Sequence, residues 1–180
     1  ARNQLIADRV KQIPAGTQTQ VVAKTVEHVY AAKQLLHDFE VVYAPKNDDD
    51  ERMEELRQEG LIPEEAKLMT KQKRKDLRHA FETGKLKKVI CNYVWSTGVD
   101  FRELSVLVRA AASGESTKNT PIPGRAVRIM EGKGKSLIID VWDAFSTPLL
   151  VRSRARKKAY ETNGWPQIWP ESKGVSRGKS

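Results

Sequence analysis

"CNYVWSTGVDFREL", residues 91–104, is the stretch that decides the fold of this chain. It follows the apolar pair Val89 and Ile90, and Ser96, Thr97, Gly98 and Asp100 form its polar centre before a second apolar run begins. A polar turn after an apolar strand is typical of an open parallel sheet, in which ligands bind beyond the carboxyl ends of the strands. Gly98 permits a positive φ or the close approach of a backbone. The hydroxyls and the carboxylate suit a ribose, a phosphate backbone or both, although an Asp that caps its own turn is the commoner use of such residues.

Composition limits the class of protein. The chain has 180 residues, about one domain, and 39% hydrophobic residues, enough for a core. Its 32 basic and 23 acidic side chains give a net charge of +9, which fits either a polyanionic partner or a solvated basic surface. Cys91 is the only cysteine, which excludes an intrachain disulfide and suits a reducing compartment. The histidines His28, His37 and His79 are far apart in sequence and lack partner cysteines, so no zinc site is expected.

Hydrophobic periodicity predicts helices and strands in alternation. Helices are predicted over 2–13, 26–39, 47–60, 70–84, 125–132 and 148–164, and strands over 19–25, 40–45, 87–93, 104–111 and 135–145. This alternation predicts an α/β fold with an open, mainly parallel sheet and helices on both faces. The near-continuous apolar runs VVAK and LIIDV agree with strands that are covered on both sides.

Finer features of the same pattern are also predicted. Thr70 is a candidate N-cap, with Leu77, Ala80 and Phe81 on the inward face of the helix that follows. The last helix is predicted to have a basic outer face. We divide the chain into a domain, residues 1–162, and a tail, residues 163–180, in which Trp165 and Trp169 pack back on the domain and the last ten or so residues are loosely held.

A second constellation is "IPGRAVRI", residues 122–129. Gly124 opens a predicted helix, and Arg125 and Arg128 are three residues apart, on one helical face. Two guanidiniums that project together suit a terminal phosphate. The plain alternative is a pair of exposed arginines on a surface helix.

The order of these segments resembles the second RecA-like domain of superfamily 2 helicases. VVAKTVEHVYAAKQLL, residues 21–36, resembles motif IV; CNYVWSTGVDFREL resembles motif V; and PIPGRAVR, residues 121–128, resembles motif VI, commonly written QxxGRxxR. The segment 71–90 matches the connection usually found before motif V. The resemblance covers about residues 17–145 and is greatest to phage-type helicases that remodel branched DNA, which also have a Trp-Asp pair, here Trp142 and Asp143, after motif VI.

The resemblance implies a role for each matching residue. Arg125 and Arg128 would act as arginine fingers; Gly98, Asp100 and Gly124 would contact the nucleotide; and Thr25, Asn92, Ser96 and Thr97 would contact DNA, single-stranded or branched. Two positions depart from the family pattern: Pro121 replaces the motif VI glutamine, and Asn92 stands where motif V often has Thr. The implied location is the cytoplasm of a bacterium or of a phage-infected host, and no membrane partner is expected because no apolar run approaches about 20 residues.

A motor ATPase also needs a phosphate-binding loop, GxxxxGK[ST], and acidic residues that hold Mg²⁺. GKGKS, residues 132–136, fails because Ile129 occupies the position of the first glycine and a strand follows; the terminal RGKS fails because Lys173 occupies that position. The chain is therefore expected to be half of a motor, inactive alone and without a metal ligand of its own. ATP and Mg²⁺ would be held mainly by an N-terminal RecA-like domain, in cis or on a separate chain.

Two other readings compete with the motor half. One is a non-catalytic module that keeps the RecA-like fold and binds nucleic acid through KQKRK, residues 71–75, and RSRARKK, residues 152–158, although such charge runs are usually solvated faces. The other is a small-molecule enzyme on a doubly wound sheet, against which stands the lack of an evident nucleophile or acid–base pair.

Overall fold

Five parallel strands form the centre of the molecule. The computed structural model describes residues 2–44, 50–95, 101, 103–111 and 136–169. The strands are β1 (Thr19–Val22), β2 (Glu40–Val42), β3 (Lys88–Cys91), β4 (Val106–Arg109) and β5 (Leu137–Asp140), and their order in the sheet is β2-β3-β1-β4-β5. Each neighbouring pair is parallel. The predicted open parallel sheet is thus confirmed.

One helix precedes the first strand, and the others lie in the segments between and after the strands. They are α1 (Arg2–Val10), α2 (Val26–Lys33), α3 (Asp50–Gln58), α4 (Lys71–Glu82) and α5 (Thr147–Thr162), with a short 3₁₀ turn at Tyr93–Trp95. These elements confirm the predicted alternation, but most are shorter than predicted; α1 ends at Val10 rather than beside Pro14. The helix predicted over 125–132 lies outside the described residues.

Alternate residues of the strands pack into two separate cores. Val21, Ile90 and Val108 belong to the core that also takes in buried side chains of α1, α2 and α3. Their neighbours Val22 and Leu107 belong to a second core that contains Phe81 of α4. Because successive side chains of a strand point to opposite faces, the helices cover both faces of the sheet, as predicted.

The strands differ in burial according to their place in the sheet. Every residue of β1, at the centre, is buried. β5 lies at the edge and is only partly covered; the side chain of its first residue, Leu137, is 47% exposed. The prediction that LIIDV is covered on both faces is confirmed in part: Ile139 packs against the first core and Ile138 against the second, whereas Leu137 stays exposed.

The start of α4 follows the predicted local chemistry. Thr70 has extended backbone angles, and its Oγ1 accepts a hydrogen bond of 3.1 Å from the amide of Lys73. This contact satisfies one of the amides that a helix leaves unpaired at its N-terminus. Phe81 is fully buried, and Leu77 packs against the same core.

Candidate functional site

The carboxyl edge of the sheet gathers the residues that follow each strand. Because the strands are parallel, the loops after β1, β2, β3, β4 and β5 all leave from this edge. The central strands are held together there: the amide of Ala23 donates to the Cys91 carbonyl at 2.8 Å, and the amide of Ala110 donates to the Val22 carbonyl at 2.9 Å. In an open α/β sheet, this is the edge at which ligands bind.

Thr25, predicted to contact DNA, lies just after β1 and caps α2. Its Oγ1 accepts a hydrogen bond from the amide of His28 at 3.4 Å, with extended backbone angles at Thr25. An accepting hydroxyl still has its own hydrogen to donate. His28 is fixed in turn by Asn3 of α1, at 3.2 Å from its Nε2. Burial, followed by the nearby Arg2 charge, lowers the pKa of His28 below its usual value.

Asn92, also predicted to contact DNA, joins the ends of β2 and β3. Its Nδ2 donates to the Ala44 carbonyl at 2.5 Å, and its Oδ1 accepts from the amides of Ala44 and Val94, each at 3.4 Å. The residue is 9% exposed. The side chain that stands at the motif V threonine position thus serves as a clamp within the chain, and its contact with nucleic acid stays a prediction.

The segment with Ser96, Thr97, Gly98 and Asp100 lies outside the described residues, but both of its ends are placed. Trp95 precedes it and Phe101 follows it, and both rings are buried. Their centroids are 5.3 Å apart, and both pack on Phe81 of α4, at 5.8 Å and 4.8 Å. Three aromatic rings therefore hold the two ends of residues 96–100 together beyond β3.

The segment with Gly124, Arg125 and Arg128 also lies outside the described residues, as does Pro121. Residues 112–135 connect the carboxyl end of β4 to Ser136, just before β5. Their first neighbours, Ala110 and Ala111, both donate to the Val22 carbonyl, at 2.9 Å and 3.1 Å. The predicted arginine-bearing segment thus starts from the centre of the same edge, beside the loop that carries Thr25.

A buried charged cluster at the end of β5 was missed by the sequence reasoning. Arg156 of α5 donates from Nε to Asp140 Oδ2 at 2.7 Å and from Nη2 to the Val141 carbonyl at 2.8 Å, and its Nη2 lies 3.5 Å from Asp143 Oδ2. Asp143 also pairs with Arg2 of α1. Arg156 is 2% exposed, so the predicted basic outer face of α5 is wrong at this residue. The available signal was the spacing of Ser153, Arg156 and Tyr160 on one helical face.

Tyr160 extends this cluster to β4. Its hydroxyl donates to Asp140 Oδ2 at 2.7 Å and accepts from Arg109 Nη1 at 3.0 Å. Burial, followed by the Asp140 carboxylate, raises the pKa of Tyr160 above its usual value, while Arg109 acts in the opposite direction. The hydroxyl therefore remains a donor, and α5 is bonded to the last residues of both β4 and β5.

The thiol of Cys91 lies inside the fold. Cys91 is fully buried, and burial raises the pKa of its thiol to about 12, so it remains protonated and is a poor nucleophile.

Over the described ranges, no group of three or more His, Cys, Asp and Glu side chains is placed to hold a metal ion. None of the described helices is long and apolar enough to cross a membrane.

The tail returns to the domain as predicted, as far as it is described. Trp165 stacks on Tyr160 with ring centroids 5.7 Å apart, and Trp169 meets Trp142 edge to face at 5.2 Å. The proposed boundary at residue 162 is a division of the sequence that these contacts do not test.

Comparison with known proteins identifies the fold. No family model and no curated protein matches the chain. Among solved structures, the C-terminal domain of the DEAD-box protein Dbp5 superposes with a TM-score of 0.58 at 17% identity, covering 91% of this chain and 78% of that domain. The DUF1998 helicase MrfA, solved with DNA and AMPPNP, gives a TM-score of 0.55 at 17% identity, covering 88% of this chain and 20% of MrfA. T4 UvsW gives 0.52 at 17% identity, covering 93% of this chain and 33% of UvsW.

The chain therefore has a RecA-like helicase-domain fold, which confirms the predicted fold class. It spans about a third of the length of UvsW and a fifth of MrfA. At 17% sequence identity, these superpositions show a shared fold.

Proposed function

We propose that this chain is the C-terminal motor half of an ATP-dependent DNA helicase or translocase, related to the phage-type enzymes. The observation that carries the proposal is the superposition of nearly the whole chain on an isolated helicase C-terminal domain, that of Dbp5. The motif order of the sequence supports it, because the segments that resemble motifs IV, V and VI follow β1, β3 and β4, the three central strands.

In this proposal, Arg125 and Arg128 are arginine fingers for ATP that is bound on the N-terminal half. Charge builds on the phosphoryl oxygens as the bond to the leaving group breaks, and a guanidinium held there stabilises that state more than the ground state. In related phosphoryl-transfer systems, such a residue contributes roughly 10³ to 10⁵ in rate. Gly98, Asp100 and Gly124 would border the nucleotide, and Mg²⁺ would be held by acidic residues of the N-terminal half.

DNA would cross the carboxyl edge at the loops after β1 and β3. Phosphates would accept hydrogen bonds from the hydroxyls of Thr25, which is half-buried, and of Ser96 and Thr97. Asn92 would contact the DNA beside them. MrfA, which shares the fold, was solved with DNA and AMPPNP, which supports DNA and a nucleoside triphosphate as the ligands. Binding through Lys, Arg and hydroxyl contacts to phosphates is sequence-independent and weakens steeply with salt.

The test is steady-state ATP hydrolysis by the protein with its N-terminal half, with and without DNA. Arg125→Ala and Arg128→Ala are each expected to lower the turnover number by about 10³-fold or more and to leave nucleotide-free DNA binding unchanged. Arg128→Lys should also be poor, because an ammonium lacks the planar fork. Arg9→Ala, at an exposed position of α1, is the control. Normal turnover in both finger variants would refute the assignment.

The alternative is a non-catalytic nucleic-acid-binding module that keeps the fold. The exposed lysines at the start of α4, Lys71, Lys73 and Lys75, are the observation in its favour. The two proposals differ in one measurement: a motor half restores DNA-stimulated ATP hydrolysis to the N-terminal half, whereas a binding module does not. RNA of matched sequence, tested beside DNA, decides which nucleic acid stimulates.

A further inference from the structure

The loop after β5 exposes large aromatic rings. Trp142 is 39% exposed, Phe145 is 75% exposed, and Trp169 of the returning tail is 47% exposed. Trp142 and Trp169 meet edge to face at 5.2 Å, with their planes at 81°. Burial of an aromatic side chain is strongly favourable, so three exposed rings grouped at a loop that leaves the carboxyl edge are expected to have a partner.

The backbone that carries Trp142 is fixed by buried contacts on both sides. On one side the Val141 carbonyl accepts from Arg156 Nη2 at 2.8 Å, and on the other the amide of Asp143 donates to Ser153 Oγ at 2.9 Å. Asp143, Ser153 and Arg156 are each no more than 2% exposed. The exposed indole is thus presented from a rigid support, which reduces the entropy lost when a ligand orders it.

Positive charge lies beside one of the rings. Lys157 Nζ lies 5.3 Å from the centroid of the Trp169 ring and 3.6 Å from Glu161 Oε1. Arg154, three residues earlier in α5 and so on the same helical face, is exposed. A surface that combines aromatic rings with cations fits a ligand that has stacking faces and negative charge, and single-stranded nucleic acid has both. A purely apolar protein partner would have to desolvate these charges.

We propose that Trp142, Phe145 and Trp169, flanked by Arg154 and Lys157, form a platform on which bases of single-stranded nucleic acid stack. The proposal rests on the proposed function, since the DNA strand that crosses the carboxyl edge at the loops after β1 and β3 would continue to the loop after β5. β5 is two strands from β1, roughly 10 Å, so about three stacked nucleotides at 3.4 Å each separate the platform from the Thr25 loop.

The experiment compares two probes of equal charge. The 180-residue chain, without nucleotide, is titrated into labelled oligothymidylate of about 20 nucleotides and into an abasic oligomer with the same number of phosphates. Wild type is expected to bind the oligothymidylate more tightly. Phe145→Ala and Trp142→Ala should each weaken that binding by about 5- to 150-fold, and should leave binding of the abasic oligomer unchanged.

Matched variants separate stacking from folding and from charge. Phe145→Tyr keeps the ring and should keep wild-type affinity. Leu137→Ala removes a side chain of similar exposure, 47%, from the opposite end of β5 and should have no effect. Arg154→Gln should weaken both probes alike and lower the slope of log affinity against log salt by about 0.7, the amount expected for one phosphate contact on a single strand. Circular dichroism confirms that each variant is folded.

Three outcomes overturn the platform. The ring variants could bind both probes like wild type, or they could bind both probes more weakly by the same factor. They could instead lose association with the N-terminal half, which would make this surface a protein interface. The result is independent of the arginine-finger test. If the ring variants bind both probes like wild type while the finger variants lose turnover, the platform alone is refuted. If the finger variants keep normal turnover while the ring variants lose base-dependent binding, the motor alone is refuted.

Discussion

The loops at the ends of β3 and β5 are built in opposite ways. Beyond β3, the rings of Trp95 and Phe101 are buried against Phe81. The polar residues of this loop stand between Trp95 and Phe101 in the sequence. Beyond β5, the aromatic residue Trp142 is exposed, while the charged Asp143 beside it is 1% exposed. Apolar side chains fasten one loop, and charged side chains fasten the other.

This inversion has a physical consequence. Aromatic burial stabilises a fold directly, whereas the desolvation of a buried ion pair cancels much of its attraction. Arg156 and Asp143 therefore contribute little net stability compared with a well-packed apolar pair, but their hydrogen bonds fix where the backbone of the β5 loop runs. The loop beyond β3 uses its rings for stability, and the loop beyond β5 leaves its rings for a ligand.

The largest expected difference between the loops is in stability. Trp95→Ala should lower the free energy of unfolding by about 3–5 kcal/mol, because a buried ring is lost and a cavity remains. Trp142→Ala should lower it by about 1 kcal/mol or less, because only a partly exposed ring and its contact with Trp169 are lost. Urea unfolding followed by circular dichroism measures both. Similar losses in the two variants would show that the loops are not built differently.

A somewhat smaller effect is expected from breaking the charged anchor of the β5 loop. Arg156→Ala should cost about 3 kcal/mol, because it leaves Asp140 and Asp143 with fewer partners inside the protein. The same variant should also weaken oligothymidylate binding, because Arg156 holds the carbonyl of Val141 and so positions the ring of Trp142. Arg152→Ala, an exposed arginine of the same helix, is the control for both measurements. Full stability with unchanged binding would show that the anchor does not position the loop.

The sequence predicts the two loops unequally well. Apolar runs with turn residues between them predict the parallel sheet and its helices, because strands that are buried on both faces, such as β1 and β3, read as near-continuous apolar runs. The edge position of β5 cannot be read from its sequence, because LIIDV is as apolar as a central strand and only the strand order places it at the edge. The five basic residues of α5 look alike in sequence and predict a solvated face, and only the fold brings Asp140, Asp143 and Val141 around Arg156. Asn92 was likewise predicted to face a ligand, and its clamp on Ala44 depends on the neighbouring strand.

The smallest expected effect is a pH dependence at the end of β1, between the two loops. Burial, followed by the Arg2 charge, lowers the pKa of His28 in the folded state below its unfolded value of 6.5. The unfolded chain therefore binds a proton more readily than the folded chain does. Stability from this residue is complete above about pH 6.5 and is lost as the pH falls below that value toward the folded pKa.

Free energies of unfolding at about pH 7.5 and about pH 5.5 test this histidine. Wild type should lose more stability on acidification than His28→Gln does, and the acidic groups that both proteins share cancel in the difference. His37→Gln, at an exposed position, should behave like wild type. Because burial lowers the pKa of His28 more than Arg2 does, Arg2→Gln should retain most of the extra loss of stability on acidification. If Arg2→Gln abolished that extra loss, the charge of Arg2, which pairs with Asp143 of the β5 loop, would be the main cause of the lowered pKa instead of burial.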